Sequence, residues 1–137
     1  MNMPEIQNYI ESYRRRAKAS RQATRLRAEK AYEIALRCTE KLVEEFGAER
    51  VFLCGSLAEG RFRATSDIDL VVEGLAPAVY FKASARISRL AGEFEVDLIP
   101  FETYKYKAEV LEKGRLLYES HRSASIAATD RRSAERA

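Results

Sequence analysis

From Glu5 to Phe46 the chain contains neither glycine nor proline and is dense in Ala, Arg, Glu and Lys. Those residues lose little on entering a helix, so this stretch predicts one long helix, or two with a break. Its second half carries a stripe, Ala31, Ile34, Ala35, Cys38, Leu42 and Phe46, at i, i+3/i+4 spacing, which marks a face that packs on a core. The stripe fades between residues 14 and 30, where the helix either stands in solvent or meets a partner. Gly47 is placed to cap the end. The residues beyond Gly47 must therefore supply the body on which that face packs.

That remainder alternates. Arg50–Cys54 is an apolar run of strand length, and Gly55–Ser66 is a loop or short helix. Asp67–Val72 reads as a second strand, closed by Gly74 and Pro77. Residues 78–91 return to helical spacing. Glu95–Ile99 predicts a third strand stopped by Pro100, 103–113 a helix capped by Gly114, and 116–118 a short last strand. The expected class is α/β (α+β): a mixed sheet with flanking helices behind a long N-terminal helix. The expected division is a basic helix over 1–47, a body over 48–119 and a flexible tail over 120–137.

Composition sets the class. With 137 residues, 46% of them hydrophobic and 33% charged, the chain suits one ordinary globular domain. No apolar run approaches the ~20 residues of a membrane span, and the start lacks the apolar stretch of a signal peptide, so the cytoplasm is the expected compartment. Cys38 and Cys54 have no ligand neighbours at zinc-site spacing and read as reduced core thiols; His121 has no evident role. The net charge of +3 is unevenly spread. Residues 14–30 hold eight basic side chains against Glu29, a local +7, which leaves −4 for the rest. Such a segment is a solvated face, a partner surface or, with no stacking motif beside it, a nucleic-acid surface.

The chemistry gathers around the second strand. Asp67 and Asp69 are two residues apart, so period-2 geometry puts both carboxylates on one face, with Cα atoms about 6–7 Å apart. They repel unless a cation sits between them. Mg²⁺ is the natural occupant, because it combines one or two carboxylates with phosphate oxygens and waters. Gly55 and Ser56 come directly after the first strand; glycine lets a ligand approach the backbone, and Ser56 can offer its N–H and hydroxyl to phosphate. If the third strand neighbours the second, Asp97 joins the site, either completing a second metal position or accepting a proton from an attacking hydroxyl.

Gly55-Ser56, ten residues, then Asp67-x-Asp69 resembles the signature of the polymerase-beta-like nucleotidyltransferases, and Ser66-Asp-Ile-Asp-Leu70 is similar to their minimal members, the MNT proteins. The resemblance covers about residues 48–119 and leaves out the basic helix. It implies a nucleotidyltransferase fold and transfer of AMP from ATP, with Gly55 and Ser56 binding nucleotide. Asp67, Asp69 and Asp97 are then the catalytic residues and the ligands of one or two Mg²⁺. It also implies a partner, since MNT proteins often act as antitoxins beside HEPN-type toxins and adenylylate a partner tyrosine. One departure stands out: Glu59 precedes Gly60 where many relatives carry a basic or aromatic residue, and an acid there disfavours a triphosphate unless Arg61 and Arg63 offset it. Three alternatives stay open. An antitoxin could work by binding alone, or an enzyme could act on a small-molecule hydroxyl, which the short tail argues against. Nucleic-acid binding through the basic helix is the third.

Overall fold

The computed structural model describes residues 2–122. The long run is a single helix, α1 (Met3–Phe46). It starts at a reciprocal cap: the Asn2 side chain accepts the Glu5 N–H at 3.0 Å and the Glu5 carboxylate accepts the Asn2 N–H at 3.1 Å, the arrangement of a capping box. It stops at Gly47, whose φ of 71° lies in the left-handed region glycine adopts without strain. No helix among the described residues is long and apolar enough to cross a membrane.

After α1 come β1 (Arg50–Cys54), a one-turn helix α2 (Gly55–Ala58), β2 (Ile68–Glu73), α3 (Tyr80–Ala91), β3 (Val96–Pro100), α4 (Lys107–Lys113) and β4 (Arg115–Glu119). The sheet order is β3-β2-β1-β4. β1 runs antiparallel to both β2 and β4, and β2 runs parallel to β3. The mixed sheet with flanking helices is thus the architecture observed. Boundaries shift in several places. β2 begins at Ile68, so Asp67 lies one residue before it. Glu95 likewise precedes β3, which includes Pro100 rather than ending before it. α4 begins four residues later than the helical spacing indicated. Gly114 ends α4 in an extended conformation, with φ −70° and ψ 152°; what it needs is room, because a Cβ there would stand 2.5 Å from the Val110 carbonyl oxygen and 3.2 Å from Cys54 Sγ. The expected flexible tail lies, from residue 123 on, outside the described residues.

Strand alternation divides the sheet into two faces. Val51, Leu53, Ile68, Leu70, Val72 and Leu98 join the helices in the main core, with Ala31, Ala35, Cys38 and Leu42 from α1 and Ala83, Ile87 and Ala91 from α3. Small residues on both helices let their axes approach. The other face holds a smaller cluster, Phe52, Val71, Phe101 and Val110, and leaves the neighbouring strand ends uncovered. Arg50 ties the two central strands. Its Nε and Nη2 donate to the two Glu73 oxygens at 2.9 and 2.7 Å, and its guanidinium lies over the rings of Phe52 and Phe101 at 5.3 and 5.2 Å. Only about a fifth of each charged side chain is exposed (20% and 22%). Arg50→Ala should therefore destabilise the fold by about 1.5–3 kcal/mol, read as a lower urea midpoint at unchanged slope.

Candidate active site

Pairing places the acids. Cys54 at the end of β1 is the register partner of Asp69, and Asp69 is in turn the register partner of Asp97 on β3. All three point to the face opposite α1 and α3. There they line a cleft of about 340 Å³ with Gly55, Glu59 and Tyr104. Asp97 reaches this position because β3 runs parallel to β2 in the register Ile68↔Val96. An offset of one residue would turn it into the core.

Gly55 sits against Asp69. A Cβ built on it would lie 2.3 Å from Asp69 Oδ2, and its φ is +71°. Space and backbone conformation thus both demand glycine at this turn from β1 into α2. Ser56 occupies the first turn of α2, half-buried, and does not line the cleft. Asp67 is exposed and lines a separate, shallower hollow with Arg27, Ser66, Glu93 and Glu95. Its charge still reaches Asp69. Burial, then Asp97, then Asp67 push the Asp69 carboxyl up to about 6.

Asp69 and Asp97 meet here without compensation, with Asp67 on the adjoining hollow, and none of the three enters an ion pair among the described residues. No three acidic, His or Cys side chains among those residues close into a ready-made metal cage. The uncompensated carboxylates of Asp69 and Asp97 are the feature a hard divalent ion would answer. An oxygen-only donor set, open on one side, suits Mg²⁺, which takes its remaining ligands from phosphate and water. Glu59 is held by Arg61, Nη2 to Oε2 at 2.7 Å, so its charge is offset as it lines the cleft.

The sequence pattern did not reveal the outer wall. Tyr104 and Tyr106 form an edge-to-face pair with centroids 5.4 Å apart, and both line the cleft with Glu109 and Lys113 of α4. Burial, then the charges of Cys54, Glu109 and Asp69, raises the Tyr104 hydroxyl above its ordinary value. Cys54, expected as a core thiol, is only half-buried and opens on the same cleft; burial and the nearby Asp69 push it up to about 11. Cys38 is a core thiol, buried and likewise raised to about 11 by that burial.

Residues 37–123 match the polymerase beta nucleotidyltransferase family, and the chain belongs to it. No curated protein sequence matches it. Among solved structures, it is similar to a chain of a crystal structure of a toxin–antitoxin with AMP-PNP. That match is 19% identical, covers 74% of this chain and 86% of the other, and has a TM-score of 0.55. It is also similar to a chain of the tri-AMPylated Shewanella oneidensis HEPN toxin in complex with MNT antitoxin, at 17% identity, 77% and 92% coverage and a TM-score of 0.50. At such identities the likeness establishes the shared nucleotidyltransferase fold.

The contact between Gly55 and Asp69 is open to a direct test. Gly55→Ala should displace the Asp69 side chain and strain the turn, lowering stability by about 1–2 kcal/mol; a melt superimposable on that of the parent would contradict the close approach. The Asp69 carboxyl itself should report through pH. The folded state keeps Asp69 protonated up to about pH 6, above the ordinary value of 3.8, so between those values it binds more proton than the unfolded chain. Stability is then lost as pH rises through that window. Metal-free Asp69→Asn should melt above the parent near neutral pH, with the gap closing below about pH 4. Melts in a chelating buffer across that range read it, and a gap independent of pH would exclude ionisation as its cause.

Proposed function

We propose that this chain is a Mg²⁺-dependent, cytoplasmic nucleotidyltransferase that moves AMP from ATP to a tyrosine hydroxyl of a HEPN-type toxin and so acts as its antitoxin. The observation that carries the reading is the register pair Asp69↔Asp97 beside Gly55 in one cleft. Family membership supports transfer of a nucleotide. Support for the partner comes from the similar structures, one with AMP-PNP and one with a tri-AMPylated toxin.

In this reading Gly55 and Ser56 would receive the triphosphate, Asp69 and Asp97 would hold the metal from the cleft, and Asp67 would turn in from the adjoining hollow to join them. When bound, Mg²⁺ neutralises the phosphate charge and favours ionisation of the attacking hydroxyl. The acceptor oxygen attacks the α-phosphorus, the bond from that phosphorus to the bridging oxygen of the β-phosphate breaks, and pyrophosphate leaves. Asp97, exposed at the cleft, takes the proton. The basic segment 14–30 lends charge for docking the partner, while the body over 48–119 carries the chemistry.

Asp97→Ala should still bind ATP but lose transfer by about 100-fold or more. Labelled ATP, a co-expressed partner and mass spectrometry for added AMP measure this. Full transfer by the variant would remove Asp97 from the reaction. A second reading, an antitoxin that works by binding alone, rests on Glu59, an acid in the cleft wall whose charge Arg61 offsets. Tight neutralisation with no added nucleotide on the parent's partner would establish it.

A further inference from the structure

The first half of α1 stands away from the body. Buried positions begin only at Ala31, after Arg27 lies over the Phe94 ring at 4.6 Å and Lys30 bridges Glu93 at 2.9 Å. The 24 residues from Met3 to Leu26 extend by about 36 Å at 1.5 Å per residue. Their surface is patterned. Met3, Ile6, Ile10, Tyr13, Ala17 and Ser20 recur at spacings of 3 and 4, the narrow stripe of a two-helix seam. The large residues come first and stay open, with Met3 66%, Ile10 40% and Tyr13 61% exposed. The small ones come after them.

We infer that this stripe is a self-association surface, and that two copies of the chain pair through it with their α1 helices antiparallel. Size and charge both select this occupant. An antiparallel register that sets Ile10 against the other copy's Tyr13 also sets Ile6 against Ala17 and Met3 against Ser20. Each bulky side chain then meets a small one, or the pair at the dyad. Charge along the helix is polar too: residues 2–13 hold Glu5 and Glu11 and no basic residue, whereas Arg14, Arg15, Arg16 and Lys18 come at once after them. By the 3.6-residue repeat, Glu5 and Arg16 border one side of the stripe, and Arg14 with Glu11 beyond it the other. Antiparallel pairing brings Glu11 towards Arg14 of the second copy, and Glu5, which also accepts the Asn2 N–H, towards Arg16. Parallel pairing would bring the arginines together. The overlap spans residues 3–20, about 27 Å of helix, and leaves the cleft on the far face of the sheet untouched, so the inference does not depend on the proposed activity.

Sedimentation of the full chain over a series reaching the hundred-micromolar range should show a monomer–dimer equilibrium. Ile10→Glu should shift it towards monomer by about tenfold or more, with an unchanged melt at concentrations where the parent is monomeric, because the site is exposed. Orientation is read by oxidation. Met3→Cys mixed with Ser20→Cys should give a disulfide-linked heterodimer, and Met3→Cys alone should give no more than the parent with its native thiols. A parent that stays monomeric throughout overturns the inference. So does a dimer indifferent to Ile10→Glu, or a Met3→Cys homodimer, which would mean parallel helices. A monomer retained on duplex RNA through the arginines would reassign the helix to nucleic acid.

Discussion

The Asp69 carboxylate occupies the space that any side chain on Gly55 would need, and the site is arranged around that contact. β1 delivers Gly55 at a left-handed turn directly after Cys54, and antiparallel pairing sets Cys54 beside Asp69. On the other side parallel pairing sets Asp97 beside Asp69. A single central strand thus fixes a turn, a thiol and a second acid by backbone register alone. The cost of this crowding appears in the acid itself: burial is the largest cause of the raised Asp69 pKa, ahead of the neighbouring charges. The apolar residues on β2, Ile68, Leu70 and Val72, hold that strand in the core on the opposite face.

Much of this was legible in the residues. Gly55-Ser56 and Asp67-x-Asp69 at a fixed distance announce a turn after one strand and acids on the next, because glycine conformation and strand alternation are local properties. Helix α1 was equally plain, since its composition offers nothing else. Strand order was not, because alternation shows which side chains share a face but not which strand lies beside which. Asp97 could therefore be joined to Asp69 only conditionally, and the parallel β2–β3 pair supplied the condition. Pro100 sits inside β3 because β3 is the sheet edge, where a missing N–H can be tolerated.

The outer wall of the cleft was illegible for a different reason. Tyr104 and Tyr106 come after Phe101 through a turn, where the Tyr104 N–H bonds to the Phe101 carbonyl at 3.2 Å. That turn delays α4 and swings both rings over the strand ends. Periodicity carries no trace of it. Asp67 shows the converse limit. Spacing predicts that it shares the face of Asp69, but strand alternation applies only inside a strand, and Asp67 lies just outside one. It opens on the hollow with Arg27 and Glu95 instead. There it still influences Asp69 by charge, which acts over a longer range than contact.

The long helix holds its shape beyond the body for reasons that are again local. A helix that stands alone must first form a costly hydrogen-bonded turn. This one needs no independent nucleus. It continues a half whose Ala31, Ala35, Cys38 and Leu42 are buried against the sheet and α3, and each further turn adds a hydrogen bond to an existing helix. The Asn2–Glu5 cap satisfies the far end, and no glycine or proline interrupts the way. Apolar packing at one end and capping at the other therefore keep an exposed stripe in helical order. Met3, Ile6, Ile10 and Tyr13 are presented in register before anything covers them, so a partner surface pays little of the ordering entropy that a flexible segment would demand.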